Sequence, residues 1–186
     1  MLFRSTDGTQ EIMLFSSAGK SIRFHEDAVR AMGRTAAGVR GIKLGTGQSL
    51  ISARLVTNDA YILTATEKGY GQRTRFDDYR PIGRGGQGVQ VIRVNERNGE
   101  VIGAEVVAEN DEVLLITDQG TMVRTRVSEI SVLGRNTQGV RLIKLSAGEK
   151  LVGVEPIRDV TVDADVDVAE TGADSAVQDD DASADS

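Results

Sequence analysis

Arginine and lysine recur at fixed intervals along this chain and are its main candidates for binding chemistry. Arg23, Arg73 and Arg124 are separated by 50 and 51 residues. Three further basic sets keep this spacing, namely Arg75 with Arg126, then Arg34, Arg84 and Arg135, then Lys43, Arg93 and Lys144. Cationic side chains at regular intervals suit a polyanion whose phosphates are also regularly spaced. We interpret these residues as a candidate surface for a phosphate backbone.

Glycines flank one of these basic sets. The segments are G-R-T-A-A-G-V from Gly33, G-R-G-G-Q-G-V from Gly83 and G-R-N-T-Q-G-V from Gly134. A backbone without side chains can approach phosphates and donate its N–H groups to them. The candidate binding residues around Arg84 therefore include Gly85, Gly86 and Gly88.

The same cations have a second interpretation. They could be solvated strand faces, or partners of carboxylates in salt bridges between repeats. For any one arginine the sequence leaves both interpretations open. Recurrence in all three repeats favours binding for the set as a whole.

Other chemistry has little support in the sequence. The chain has no cysteine and one histidine, His25, which excludes thiol nucleophiles, disulfides and histidine-rich metal sites. The adjacent Asp77 and Asp78 would point to opposite faces of a strand. Residues 83–88 satisfy G-x-G-x-x-G, but no amphipathic helix follows, and no G-x-x-x-x-G-K-[ST] loop occurs. We expect no catalytic residue, no metal and no cofactor in this chain.

An internal repeat of about 50 residues must position the basic sets. The repeats span about 10–57, 59–108 and 111–157. Each begins with an apolar run (12–15, 61–63 and 113–116) and a polar turn that ends in glycine, at Gly19, Gly69 or Gly120. A second, alternating strand follows, and then a linking segment that could form one helical turn. After the Gly-Arg loop we expect a third strand (39–44, 89–94 and 140–145) and a fourth (50–56, 101–107 and 151–154).

Four short strands in a repeat of this length are typical of a propeller blade. We therefore predict an all-β, propeller-like fold of about three four-stranded blades. One blade cannot bury both faces of its sheet, so neighbouring blades must stack. Stacking would bring each basic set to a similar height on successive blades and form a positive track along the outer edge.

Charge is unevenly distributed along the chain. The net charge is −6, but ten of the 28 acidic residues and no Lys or Arg fall within 159–186. The rest of the chain holds 18 acidic and 22 basic residues, a net charge of +4. We expect a disordered acidic tail that either competes for the basic surface or only aids solubility. Residues 1–6 match no repeat and could be a truncated start.

The Gly-Arg segments resemble the blade loops of the C-terminal domain of bacterial DNA gyrase A. The stretches V-R-A-M-G-R-T-A-A-G-V-R-G-I-K-L from Val29 and G-T-M-V-R-T-R-V-S-E-I-S-V-L-G-R-N-T-Q-G-V from Gly120 are similar to it as well. The resemblance covers residues 7–157. It implies a β-pinwheel, a disc of six blades in the full domain, of which this chain would contain the last three blades and the acidic tail.

This resemblance also implies a function. The disc would bind and wrap double-stranded DNA around its basic rim without sequence specificity, and so support ATP-dependent negative supercoiling by the intact enzyme. Implied partners are the breakage-reunion domain of gyrase A and the gyrase B polypeptide, in the bacterial cytoplasm, with no membrane contact. ATP, Mg²⁺ and the cleavage tyrosine would act elsewhere in that enzyme.

One hallmark of the family differs here. The family's box is Q-R-R-G-G-K-G in its first blade, and the nearest segment is I-G-R-G-G-Q-G at 82–88. Arg84, Gly85, Gly86 and Gly88 match, whereas Gln87 replaces the lysine. Two alternatives are the C-terminal domain of the corresponding topoisomerase IV polypeptide and a propeller that only binds proteins.

Overall fold

Three antiparallel sheets follow one another along the chain in the computed structural model, which describes residues 5–56 and 59–157. The strands are β1 (Glu11–Ser16), β2 (Lys20–His25), β3 (Leu50–Val56), β4 (Tyr61–Thr66), β5 (Tyr70–Arg75), β6 (Val89–Gln90), β7 (Val101–Val107), β8 (Glu112–Thr117), β9 (Met122–Arg126), β10 (Val140–Arg141) and β11 (Leu151–Ile157). A single 3₁₀ turn follows the second strand of each repeat, at Glu26–Ala28, Phe76–Asp78 and Val127–Glu129. The all-β, propeller-like prediction is confirmed.

Neighbouring repeats contribute strands to one sheet. The first sheet has the order β3-β1-β2-β6 and the second β10-β5-β4-β7, so each is completed by a short strand from the following repeat. The third sheet contains β11, β8 and β9. Among the described residues the third blade has three strands where four were predicted, because the described part of the chain holds no later repeat to supply the fourth strand.

The predicted third strands are also corrected. Residues 39–44 form no strand, and the strands expected at 89–94 and 140–145 shorten to β6 and β10. The reason is that this segment pairs with the preceding repeat, as Ser21 with Val89 and Gly71 with Val140. No earlier repeat is present among the described residues to pair with 39–44.

Hydrophobic clusters fill the spaces between neighbouring sheets. One contains Met13 and Phe15 of the first blade together with Phe76 and Tyr79 of the second repeat. The other joins β4 and β7 to β8, β11 and the linking segment of the third repeat. Each blade therefore buries one face against the next, as expected for a repeat that cannot bury both faces alone.

The hairpin glycines serve both the turn and the packing of blades. Gly19, Gly69 and Gly120 have φ of 71°, 77° and 83°, in the left-handed region that favours glycine. A Cβ at Gly19 would lie 2.3 Å from the carbonyl oxygen of Ile92, and one at Gly69 would lie 2.7 Å from that of Ile143. The space beside Gly120 is open because no further repeat among the described residues packs there.

Within 5–56 and 59–157, no helix has the length and apolar character needed to cross a membrane. The same ranges contain no cluster of three or more metal-ligating side chains.

Candidate nucleic-acid interface

Arg23 and Arg73 lie between blades and not on the outer edge. The Nη1 of Arg23 donates to the carbonyl oxygen of Tyr79 at 2.6 Å, and its Nε pairs with Glu11. The Nε of Arg73 donates to the carbonyl oxygen of Ile130 at 2.5 Å, the equivalent position one repeat later. Both guanidinium groups are already occupied, so the predicted placement of these two residues on a DNA-facing track is wrong.

Aromatic rings and carboxylates enclose these two arginines further. The guanidinium carbon of Arg23 lies 3.7 Å from the ring centroid of Phe76. Arg73 has a side chain only 6% exposed, and its Nη1 lies 2.5 Å from Glu109. This contact, together with the Coulombic effect of Arg73, lowers the pKa of the Glu109 carboxyl. The salt-bridge interpretation left open by the sequence applies to these positions.

Arg124 and Arg126 belong to the same sets but lie on the exposed face of the third blade. Their side chains are 62% and 70% exposed, and both contact the single carboxylate of Glu112. No described residue stands where Tyr79 and Ile130 meet the earlier arginines. These two cations are accessible, and Arg124 is the more closely paired of them.

The Gly-Arg loops stack on the segments that follow the preceding loops. The amide of Gly85 donates to the carbonyl oxygen of Gly41 at 2.5 Å, and the amide of Asn136 donates to that of Val91 at 2.9 Å. The second of these hydrogen bonds is the equivalent of the first, one repeat later. The same contact therefore positions both loops.

The glycines of the middle loop have a structural role that the sequence interpretation missed. A Cβ at Gly88 would lie 2.3 Å from the carbonyl oxygen of Ser21, so this position must be bare for β6 to pair with β2. The amide of Gly85 is already bonded, and the carbonyl oxygen of Gly86 accepts from the amide of Lys43 at 2.8 Å. Gly85 and Gly88 therefore join neighbouring repeats, and the amide of Gly85 is not free to donate to a ligand.

The loop arginines remain accessible. Arg34 and Arg84 are exposed, and Arg135 is half-buried. The Nε of Arg84 donates to the carbonyl oxygen of Ala28 at 2.7 Å, which directs its side chain back over the first repeat. The guanidinium carbon of Arg135 lies 5.8 Å from the ring centroid of Tyr79.

The basic residues after each loop are exposed as well. Arg93 and Lys144 come after β6 and β10, which join their repeats to the preceding sheets, and Lys43 holds the equivalent position in the first repeat. Two adjoining grooves of about 670 and 200 Å³ are lined by Arg93 and Lys43 respectively, and Lys20 lines both. Two members of one basic set, together with Lys20, thus line adjoining concave surfaces, although Glu100 also lines the larger groove.

The sequence patterns did not identify Arg40, Arg141 and Tyr70 as candidate site residues. Arg40 and Arg141 are exposed and occupy equivalent positions, with Gln90 between them in the second repeat. The Nη2 of Arg141 lies 3.2 Å from the hydroxyl of Tyr70, and Arg97 stacks 4.8 Å from that ring. Hydrogen bonds from Arg141 and Arg97 lower the pKa of the Tyr70 hydroxyl. The spacing of 40, 90 and 141 was the available signal, but only two of its three members are basic.

Comparison with known proteins identifies relatives of this chain. A family model described as the DNA gyrase C-terminal domain, beta-propeller, matches residues 10–57, 60–108 and 111–158. The DNA gyrase A polypeptide of Pseudomonas aeruginosa is 56% identical over 165 residues, and that of Escherichia coli is 48% identical over 168 residues. These matches cover 89% and 90% of this chain but only 18% and 19% of the two relatives. The chain thus spans about a fifth of their length.

Solved structures show the same fold. A DNA gyrase A C-terminal domain superposes with a TM-score of 0.76 at 27% identity, and the match covers 82% of this chain and 52% of that one. The C-terminal domain of a DNA topoisomerase IV superposes with a TM-score of 0.77 at 25% identity, with 82% of this chain and 48% of the other covered. The backbone alone is therefore equally similar to both kinds of domain.

Proposed function

Because this chain belongs to the DNA gyrase C-terminal domain family of beta-propellers, we propose that it binds duplex DNA along its blades without sequence specificity. One observation supports this most directly. A group of cationic side chains recurs from blade to blade without a salt-bridge partner among the described residues: Arg34, Lys43, Arg75, Arg84, Arg93, Arg135 and Lys144. Unpaired cations gain more from phosphate contact because no internal pair has to be broken.

The repeated contacts between blades support wrapping as well as binding. The amide of Ile82 donates to the carbonyl oxygen of Arg23 at 3.0 Å, and the amide of Leu133 donates to the carbonyl oxygen of Arg73 at 2.9 Å. Because the same bonds recur at equivalent positions, successive blades are related by nearly the same rotation and translation. Cations repeated by that movement follow a curved path, and a duplex in contact with all of them must bend.

Within a whole gyrase, we propose that this curvature supports ATP-dependent negative supercoiling. The chain would supply the DNA-wrapping surface, whereas strand cleavage and ATP hydrolysis would take place in other parts of gyrase A and in gyrase B. No bound cofactor is needed for the part proposed here, since phosphate contacts by side chains suffice. The setting would be the bacterial cytoplasm, where the chromosome lies.

Two measurements test the proposal. The 186-residue chain should bind unrelated duplexes of equal length with the same affinity within about threefold, as phosphate contacts carry no sequence information. Incubation with relaxed plasmid and a nicking-closing topoisomerase should change the linking number of the product if the chain wraps DNA. Binding without such a change would leave a DNA-binding module that does not wrap, and no binding at all would contradict the proposal.

A topoisomerase IV domain is the nearest alternative. The solved structures do not distinguish the two, but 56% identity to a DNA gyrase A polypeptide across 89% of the chain favours gyrase. A propeller that only binds proteins is the second alternative. It predicts no affinity for duplex DNA and is tested by the same binding measurement.

A further inference from the structure

Two arginines from different repeats meet at one tyrosine ring. Tyr70 is the first residue of β5, and Arg141 lies directly opposite it on β10, the strand that the third repeat adds to the second sheet. The Nη2 of Arg141 donates to the Tyr70 hydroxyl at 3.2 Å, and its guanidinium carbon lies 5.6 Å from the ring centroid. The guanidinium carbon of Arg97, from the segment between β6 and β7, lies 4.8 Å from the same centroid. These three residues, the Tyr70 cluster, span the junction of the second and third blades.

The loop that carries Arg97 is fixed by a buried amide. Asn98 is fully buried, and its Nδ2 donates to the carbonyl oxygen of Arg93 at 2.8 Å and to that of Gln138, in the next repeat, at 3.2 Å. The amide of Arg97 donates to the side chain of Asn95 at 2.9 Å, and its Nη1 donates to the side chain of Gln138 at 3.1 Å. Arg97 is therefore held in place before a ligand arrives, which reduces the entropy lost on binding.

Neither arginine of the cluster has a carboxylate partner among the described residues. Both side chains are exposed, and they donate to neutral groups, the Tyr70 hydroxyl and the Gln138 amide oxygen. Hydrogen bonds from Arg141 and then Arg97 lower the pKa of the Tyr70 hydroxyl, so both guanidinium groups converge on that end of the ring. An anion bound between the two positive charges would relieve their mutual repulsion.

We propose that the Tyr70 cluster binds one phosphodiester group of duplex DNA, with Arg97 and Arg141 donating to its oxygens and Tyr70 as the positioning residue. Guanidinium groups suit this ligand because their planar N–H donors match two phosphate oxygens. The Tyr70 ring supports both cations, and its hydroxyl can donate to the phosphate once a guanidinium turns to the ligand. The proposal rests on the DNA binding proposed above and adds a contact site that the repeated basic sets do not contain.

The surroundings of the cluster favour a backbone phosphate over a free phosphate ion. Lys144 follows Arg141 by three residues, which span at most about 10 Å of extended chain. Asn98 bonds to the backbone of Arg93. Lys144 and Arg93 are exposed and have no salt bridge within the part of the chain that the structure describes. A polyanion can use these further cations, whereas a single phosphate ion cannot.

The junction of the first and second blades has the same backbone pairing but different side chains. Lys20 pairs with Gln90 across β2 and β6, as Tyr70 pairs with Arg141 across β5 and β10. A flexible lysine without an aromatic support thus occupies the place of Tyr70, and a neutral amide that of Arg141. Duplication of the repeat therefore does not account for the two arginines on one ring.

Binding of a labelled duplex by the 186-residue chain tests whether the two arginines share one phosphate. Arg97→Gln and Arg141→Gln should each lower the affinity about threefold to tenfold. The double variant should lose less than the product of these factors and reduce the slope of log K against log salt by about 1, because one phosphate contact is lost. Lys150→Gln is the control and should change the affinity less than about twofold, since Lys150 is paired with Glu67. Multiplied losses with a slope change of about 2, or no loss in the single variants, would overturn the shared site.

Two replacements of Tyr70 separate positioning from folding. Tyr70→Phe keeps the ring and should retain the affinity within about twofold, whereas Tyr70→Leu removes the support of both guanidinium groups and should lower it about threefold to fivefold. In the chain that already carries Arg97→Gln and Arg141→Gln, Tyr70→Leu should have no further effect on affinity. An effect of Tyr70→Leu that persists without the two arginines would show a structural role and overturn the positioning role.

The tyrosine ¹³Cζ resonances identify the ligand. The Tyr70 resonance should shift when duplex is added, whereas that of the buried Tyr79 should not. Inorganic phosphate at the same total phosphate concentration should leave the Tyr70 resonance unchanged, and an equal shift would overturn the assignment to a DNA backbone. Duplex binding with an unchanged Tyr70 resonance and unaffected variants would overturn the cluster alone. No duplex binding by the native chain would overturn the proposed function as well.

Discussion

The guanidinium group of Arg73 joins two successive blades, since it donates to the carbonyl oxygen of Ile130 at 2.5 Å and pairs with Glu109 at the same distance. Arg23 makes the corresponding bond to Tyr79 one repeat earlier. A regularly spaced basic residue in a repeat protein can thus hold the repeats together. Its neighbour Arg75, two residues on, is exposed and unpaired among the described residues. Two residues of one strand thus differ in role, since Arg73 joins the blades and Arg75 stays accessible.

Replacement of Arg73 by methionine should therefore destabilise the fold. The change leaves the Ile130 carbonyl and the half-exposed Glu109 without their partner, at a cost of about 2–3 kcal/mol in the free energy of unfolding. Urea denaturation followed by circular dichroism measures this. Arg75→Met, on the same face of β5, is the control and should change stability by less than about 0.5 kcal/mol. Equal stability losses would show that Arg73 has no special role between the blades.

Arg84→Ala and Arg135→Ala should have the opposite effect from Arg73→Met, with a loss of DNA binding and little change in stability. Each should weaken DNA binding and reduce the slope of log K against log salt by about 1, while thermal stability changes by less than about 1 kcal/mol. Lys150→Ala is a suitable control, because Lys150 is exposed but paired with Glu67 at 3.3 Å. Fluorescence anisotropy on a labelled duplex gives both affinities and slopes. A loss of folding equal to the loss of binding would support the salt-bridge interpretation for these two arginines as well.

Deletion of residues 159–186 should tighten DNA binding at low salt. The tail holds ten acidic residues and no basic ones beside a body of net charge +4. Screening limits its field to about 8 Å at physiological salt, so any restraint requires direct contact with the basic surface. The gain should therefore shrink as salt rises. Unchanged affinity at low salt would show that the tail only aids solubility.

Glu149 should contribute stability that depends on pH. The hydroxyl of Thr117 donates to its carboxylate at 2.6 Å and the amide of Ser146 at 2.8 Å, and these bonds lower its pKa from 4.5 to about 2. A carboxyl with a depressed pKa stabilises the fold above its unfolded pKa and loses that contribution as pH falls through the folded value. The stability difference between the native chain and Glu149→Gln should be constant above about pH 5 and shrink toward about pH 2.

Glu155→Gln controls for the loss of one charge, as Glu155 is exposed on β11. Urea denaturation of the native chain and the two variants, from neutral to strongly acidic pH, provides the comparison. A Glu149→Gln difference that does not change with pH would show that the two hydrogen bonds do not act through the ionised carboxylate.

The sequence predicted the strands well where a repeat is self-contained. The limits of the fourth strands at 50–56 and 101–107 are those observed, and the hairpin glycines have the expected positive φ. The fourth strand of the last repeat extends to Ile157 through Pro156, which is tolerated because β11 is an edge strand. Local periodicity suffices for such elements.

What the sequence could not predict depends on contacts between repeats. The pairing of Val89 with Ser21 joins residues far apart in the chain, and no local pattern indicates which blade receives the strand. The same holds for Arg54, whose Nε donates to Glu105 at 2.8 Å across two blades and which the basic sets did not include. Burial of Arg73 follows from the same stacking. Spacing identified the repeated arginines correctly but could not separate those between blades from those outside.

The salt dependence of duplex binding tests the central claim most directly. Three contacts in each of three blades would give about nine phosphate contacts and a slope of log K against log salt of about −8. The structure places Arg23 and Arg73 between blades and pairs Arg124 with Glu112. The members of the basic sets that lie outside the blade contacts and have no close salt bridge are then Arg34, Lys43, Arg75, Arg84, Arg93, Arg126, Arg135 and Lys144. About eight contacts predict a slope of about −7, and a slope shallower than about −2 would contradict the proposal that this surface binds the DNA backbone.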